Sequence, residues 1–140
     1  MKTILVTIDG SEYSKRAMLK AKEIAKVFDS NIILLNVRNT IIPYLAFEES
    51  QKYYHMLKDN SERLLQAAKK DFSDMEDKIE LVSLEGDIAT EIIDYSEKND
   101  IDLVVMGSMG LSAGLIQGFL LGSIANKVVH GIKKPILIVK

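Results

Sequence analysis

The sequence predicts an α/β fold: a single-domain open doubly wound sheet of five mainly parallel strands with helices on both faces, spanning residues 1–140. Five short runs rich in branched apolar residues recur along the chain, at Ile4–Ile8, Ile32–Val37, Ile79–Leu84, Ile101–Met106 and Pro135–Val139. Most are near-continuously apolar rather than alternating, the pattern of strands buried on both faces of a parallel sheet. Apolar residues at helical spacing separate them, and strand–helix alternation with right-handed crossovers winds a sheet of this kind.

Each element has its own signal. Ile4–Ile8 ends at Asp9-Gly10-Ser11, and Ala17, Ala21, Ile24, Ala25 and Phe28 then mark one face of a first helix. After Ile32–Val37 comes the least regular stretch, Arg38 to about Ser50, with Pro43, Tyr44 and Phe47. It reads as a lid over the strand ends or, equally, as an ordinary connection packed by its own side chains. Tyr54, Leu57, Leu64, Ala68 and Phe72 predict a second helix, and Ala89, Ile92 and Ile93 a third after the turn Glu85-Gly86-Asp87. Ile101–Met106 runs into Gly107-Ser108-Met109-Gly110, a fourth helix carries Leu121, Ile124, Ala125, Val128, Val129 and Ile132, and Pro135–Val139 closes the chain.

Composition narrows the function classes. With 140 residues and 47% hydrophobic residues the chain can enclose a core without staples. A net charge of -2 leaves no electrostatic footprint for nucleic acid or an anionic membrane, so neither is an expected partner. The absence of cysteine removes disulfides, a thiolate nucleophile and thiolate metal sites; a reducing compartment suits the chain, and a cytoplasmic location is expected. The opening run Thr3–Ile8 is too short for a signal core or a membrane span, so the whole chain reads as mature soluble protein.

A doubly wound sheet binds ligands beyond the carboxyl ends of its strands, where strand order reverses. There Gly107 and Gly110 permit a tight turn and close backbone approach, and Gly122 does the same before the last helix, whose Ser123 hydroxyl serves as a cap or binds a phosphate oxygen. A strand leading through glycine turns into a helix start aims unpaired N–H groups and the positive helix end outward, which suits an anion; purely conformational reasons for the glycines are equally open. Asp9, ending the first strand, serves either as a helix cap or as an acceptor for an exocyclic amine or ribose hydroxyl.

Other candidates are weaker. His55 and His130 lie on separate helices without partnered ligand spacing. Asp100 and Asp102 are served by solvation or capping at a strand start, and Lys133-Lys134 complement the dipole of the helix before them. No side-chain metal site and no catalytic residues are expected.

Thr7-Ile8-Asp9-Gly10-Ser11-Glu12, Glu85-Gly86-Asp87-Ile88-Ala89, Asp102-Leu103-Val104-Val105-Met106-Gly107 and Lys134-Pro135-Ile136-Leu137-Ile138-Val139 resemble successive strands and turns of the universal stress proteins. These are small cytoplasmic domains of the adenine nucleotide alpha-hydrolase-like fold that bind adenine nucleotides, or related non-binding ones, and the resemblance spans nearly the whole chain. ATP-binding members carry Gly, two residues, Gly, nine residues, then Gly followed by Ser or Thr. Here Gly107, Gly110 and Gly122-Ser123 match, but eleven residues, Leu111 to Leu121, intervene, and Met109 adds no charge toward a polyphosphate. A longer loop is cheap in closure entropy, so it either bulges outward or refolds across the site.

Carried over, the resemblance implies that Asp9 and the backbone near Val37 hold adenine, while Thr7 and Ile8 line the base pocket. Met106 and Gly107 would sit by the ribose. Gly110, Gly122, Ser123 and the amide of Ile124 would take the phosphates, with Mg2+ arriving on the nucleotide. It further implies a regulatory stress-response module that binds ATP, a homodimer formed through the edge strand Pro135–Val139, and an unknown protein partner; the alternative is a nucleotide-free dimerisation or interaction module. Asp9-Gly10-Ser11 also faintly resembles the first phosphate loop of ATP-using enzymes of the same fold, but the fuller loop is missing. No base for hydrolysis is visible near Gly122-Ser123.

Overall fold

All five apolar runs form strands, and every strand pairing is parallel. The computed structural model describes residues 1–40, 47–111 and 121–140. In chain order the elements are β1 (Thr3–Thr7), α1 (Glu12–Phe28), β2 (Asn31–Asn39), α2 (Phe47–Lys70), β3 (Ile79–Gly86), α3 (Ile88–Lys98), β4 (Leu103–Gly107), α4 (Ser123–Gly131) and β5 (Ile136–Val139), with a short 3-10 segment at Ser73–Lys78 before β3. The sheet order is β3-β2-β1-β4-β5, so the winding reverses between β1 and β4.

Strand side chains alternate faces, and here both faces are covered. Ile4, Val6, Ile32, Leu34 and Val105 pack under α1 and α2 against Ala17, Met18, Ala21, Ala25, Leu65 and Ala68. Leu5, Ile33, Leu35, Val104 and Met106 pack on the other face against Ala89 and Ile92 of α3 and Ala125 and Val128 of α4. This two-sided burial is why the runs read as continuously apolar, and each fully buried Ile or Leu contributes about 1.5–3 kcal/mol.

Element ends follow hydrogen bonding rather than hydrophobicity. β2 and β3 continue past Val37 and Leu84 because Arg38 and Asn39 stay in register with Glu85 and Gly86, polar residues that carry no strand signal. β4 begins only at Leu103: the Ile101 N–H donates to the Asn99 carbonyl in a turn, although Ile101 is buried. Pro135 precedes β5 yet supports it, its carbonyl accepting from the Val104 N–H at 2.9 Å.

The second helix shows the largest rotation from expectation. Its inward residues are Ser61, Leu65 and Ala68, followed by Phe72 just past its end, whereas Leu64 is half-buried and Tyr54 is exposed. The polar Ser61 hides this stripe, because its hydroxyl pairs with the Ser83 hydroxyl of β3 at 2.7 Å. Of the lid candidate, Phe47 to Ser50 belong to α2, and Pro43 and Tyr44 lie outside the described residues.

Candidate functional site

β1 feeds α1 on one face and β4 feeds α4 on the other, so a crevice opens where the two strands part. A cavity of about 840 Å³ occupies it. Every residue expected at the site lines this cavity: Thr7, Ile8, Asp9 and Val37 at the β1 and β2 ends, Met106 and Gly107 at the end of β4, and Gly110, Gly122, Ser123 and Ile124 around the start of α4. A second concavity, about 750 Å³, is lined by α2 side chains alone and meets no strand end.

Asp9 is not the cap of α1. That role falls to Ser11, whose Oγ accepts the Ser14 N–H at 3.1 Å, while Asp9 Oδ1 orders the turn by accepting the Ser11 N–H at 2.8 Å. Its other oxygen, Oδ2, reaches across the crevice to within 3.3 Å of where a Cβ on Gly110 would stand. One carboxylate thus serves both the folding of α1 and the polar rim of the cavity.

The glycines divide similarly. A Cβ on Gly107 would lie 2.7 Å from the Tyr13 carbonyl carbon and Cβ, so this glycine lets the first turn of α1 sit directly on β4. Gly122 is the N-cap of α4 and brings no side chain to its first turn. Its N–H donates to the Ser108 carbonyl at 2.7 Å, and a Cβ there would stand 3.3 Å from the Met109 Cα, so the two glycine turns are clamped together. The N–H groups of Ser123, Ile124 and Ala125 have no carbonyl one turn earlier to bond, and they carry the positive end of the helix dipole.

Val37, Ile88, Ile92 and Ile124 are among the apolar residues that wall the cavity, a lining suited to an apolar or aromatic ligand group. Ile88 and Ile92 went unread as site residues because Ile92 sits on an inward helical stripe and reads as core. Asn36 was also unread: buried, its Nδ2 donates to the Ile8 carbonyl at 2.6 Å and holds the β1 end against β2.

Polar groups elsewhere are structural. Hydrogen bonds from the Thr90 hydroxyl and N–H, helped by the charge of Lys127, hold the Asp87 carboxyl below the usual carboxylate range as it caps α3. The Thr3 and Lys2 N–H groups do the same for Asp102, at 2.9 and 2.7 Å, pinning the start of β1. His130 Nδ1 lies 2.7 Å from the Asn126 carbonyl on the surface of α4. Among the described residues no acidic, His or Cys cluster is placed to hold a metal ion, and no helix is long and apolar enough to cross a membrane. Among the described residues that line the cavity, Asp9 brings the one carboxylate, its Oδ2 beside Gly110.

Sequence and structure comparisons give the family and the fold. The sequence profile of the universal stress protein family matches residues 1–140. Universal stress protein MJ0531 of Methanocaldococcus jannaschii is 32% identical over 99% of this chain and 82% of its own length. The solved structure of MJ0577, from the same organism, superposes with a TM-score of 0.85 at 26% identity, covering 99% of this chain and 95% of that one. A universal stress protein solved in complex with cAMP, also 26% identical, superposes with a TM-score of 0.69 over 99% of this chain and 95% of its own. The chain belongs to the universal stress protein family.

Proposed function

We propose that this protein binds an adenine nucleotide in the crevice between β1 and β4 and acts as a nucleotide-responsive module. The observation that carries the reading is the convergence, on one cavity, of an apolar lining, the Asp9 carboxylate beside Gly110 and the first turn of α4 with its glycine cap. Adenine would lie against Val37 with its exocyclic amine toward Asp9, between Thr7 and Ile8 on one side and the α3 start on the other. The ribose would sit over Met106 and Gly107, and phosphate oxygens would accept from the amides at Gly110, Ser123 and Ile124, with the Ser123 hydroxyl as an additional donor; the Gly122 N–H is held by the Ser108 carbonyl, so Gly122 would contribute close backbone approach rather than a donor. A universal stress protein complex with cAMP at 26% identity supports the ligand class. The family resemblance implies ATP with Mg2+, the magnesium being held by phosphate oxygens and water. No residue is assigned to hydrolysis.

Calorimetry tests this. Adenine nucleotide should release heat and raise the melting temperature of the purified protein, and Asp9→Ala should weaken binding about 10-fold or more, the range for losing a charge-assisted hydrogen bond. Absence of both heat and thermal shift would reject it.

The second reading, a nucleotide-free interaction module, is favoured by the uncharged Met109 in the cavity wall and the eleven-residue interval after Gly110. Analysis of the supernatant after mild denaturation discriminates: co-purified nucleotide supports the first reading. Both readings include a cytoplasmic homodimer formed through β5, an edge strand whose residues are all half-buried. Charge at Ile136 or Ile138 should lower the mass seen by light scattering.

A further inference from the structure

The cavity is poorly equipped for a polyanion. Among the described residues that line it there is no Lys, Arg or His, and its one ionisable group is the carboxylate of Asp9. From Gly107 to Asn126 the sequence carries no charged residue, although 27% of the chain is charged. The cations closest in sequence are not among the residues that line the cavity. Lys127 acts on the Asp87 carboxylate, and Arg38, following Val37 and alternating to the opposite face of the sheet, lies 3.8 Å from Glu85. Positive potential at the cradle therefore comes from the amides and the helix dipole, worth about half an elementary charge.

A single phosphate group, with one negative charge when cyclic and about two when open, asks less of that provision than a di- or triphosphate does. Further phosphates add charge with no cationic side chain among the described lining residues to meet it, and the Asp9 carboxylate lies across the crevice beside Gly110. Granted that an adenine nucleotide occupies the cavity, we propose that the site selects nucleotides with a single phosphate, open or cyclic, over ATP, and that Met109 sets this selectivity. Met109 lines the cavity where the two glycine turns are clamped, its Cα 3.3 Å from the Cβ position of Gly122. A cation at this position would add positive charge to the cavity lining beside the two glycine turns.

Calorimetry on the full chain with adenosine, AMP, cAMP and ATP, in chelator and then in Mg2+, tests the proposal. AMP or cAMP should bind about 10-fold or more tightly than ATP in chelator, with the gap narrowing in Mg2+ as the metal neutralises the added phosphates. M109K should tighten ATP about 10-fold while moving AMP far less and adenosine not at all. L111K, at a cavity position that is 74% exposed, provides a second variant that does not disturb packing and should act in the same direction. ATP binding as tightly as AMP without metal, or an ATP-to-AMP ratio unmoved in both variants, would overturn it. Failure of every ligand, adenosine included, would instead sink the nucleotide reading on which it rests.

Discussion

Helices α1 and α4 flank the same switch point from opposite faces of the sheet, and they begin in opposite ways. The start of α1 is closed: Ser11 caps it, Asp9 orders the turn before it, and Gly107 lets its backbone rest on β4. The start of α4 is open, with a glycine N-cap and no side-chain acceptor. A glycine cap costs only a few tenths of a kcal/mol relative to Ser or Asp, so leaving donors available there barely weakens the fold. Where a helix end only has to fold, its donors are met by side chains; where donors remain over a cavity, a ligand is the economical acceptor.

This contrast can be broken from either side. The largest effect is expected for Gly107→Val, whose side chain would collide with the Tyr13 backbone and Cβ at 2.7 Å. A loss of about 3 kcal/mol should appear as a lower urea midpoint, since backbone on both sides cannot yield. Next, Gly122→Asp should make α4 resemble α1: the new carboxylate caps the first turn and repels phosphate. Nucleotide affinity should fall about 10-fold or more by calorimetry, while the 3.3 Å approach of the new Cβ to the Met109 backbone offsets the gain from the cap and lowers stability by about 1 kcal/mol.

Ser11→Ala sharpens the comparison at the closed end. It should lower stability by about 1 kcal/mol in chemical denaturation, with nucleotide affinity held within about 2-fold. The smallest effect belongs to the far rim of the sheet, where the Thr3 and Lys2 N–H groups depress the Asp102 pKa. A depressed carboxyl stabilises the native state above its unfolded value of about 3.9 and loses that contribution as pH falls through the lower native value. The stability gap between wild type and Asp102→Asn should therefore be present at neutral pH and close under acid titration. A gap independent of pH would remove Asp102 from the acid response.

The fold was legible because two-sided burial leaves a signal in composition: Ile32 to Leu35 or Val104 to Met106 admit no polar face. The inward stripe of α2 was legible only in part: Ala68 and Phe72 are buried as their spacing predicts, but Ser61 is buried through a hydroxyl pair with Ser83 that periodicity cannot display. At the site, the glycines and Asp9 were legible as residues that break regular structure at strand ends. Ile88 and Ile92 were not, since a cavity wall and a packed core call for the same side chains. Gly107 carried the right position, but its closest neighbour is the backbone of α1, a contact no local pattern records.

The 2.7 Å bond from the Gly122 N–H to the Ser108 carbonyl acts as a drawstring at the neck of whatever chain runs between Leu111 and Leu121. Because it draws the two ends together directly, lengthening the purse need not alter the mouth. Members of a lineage with this device can vary that interval without retuning the helix end beside it, and a search pattern built on a fixed count would pass over them.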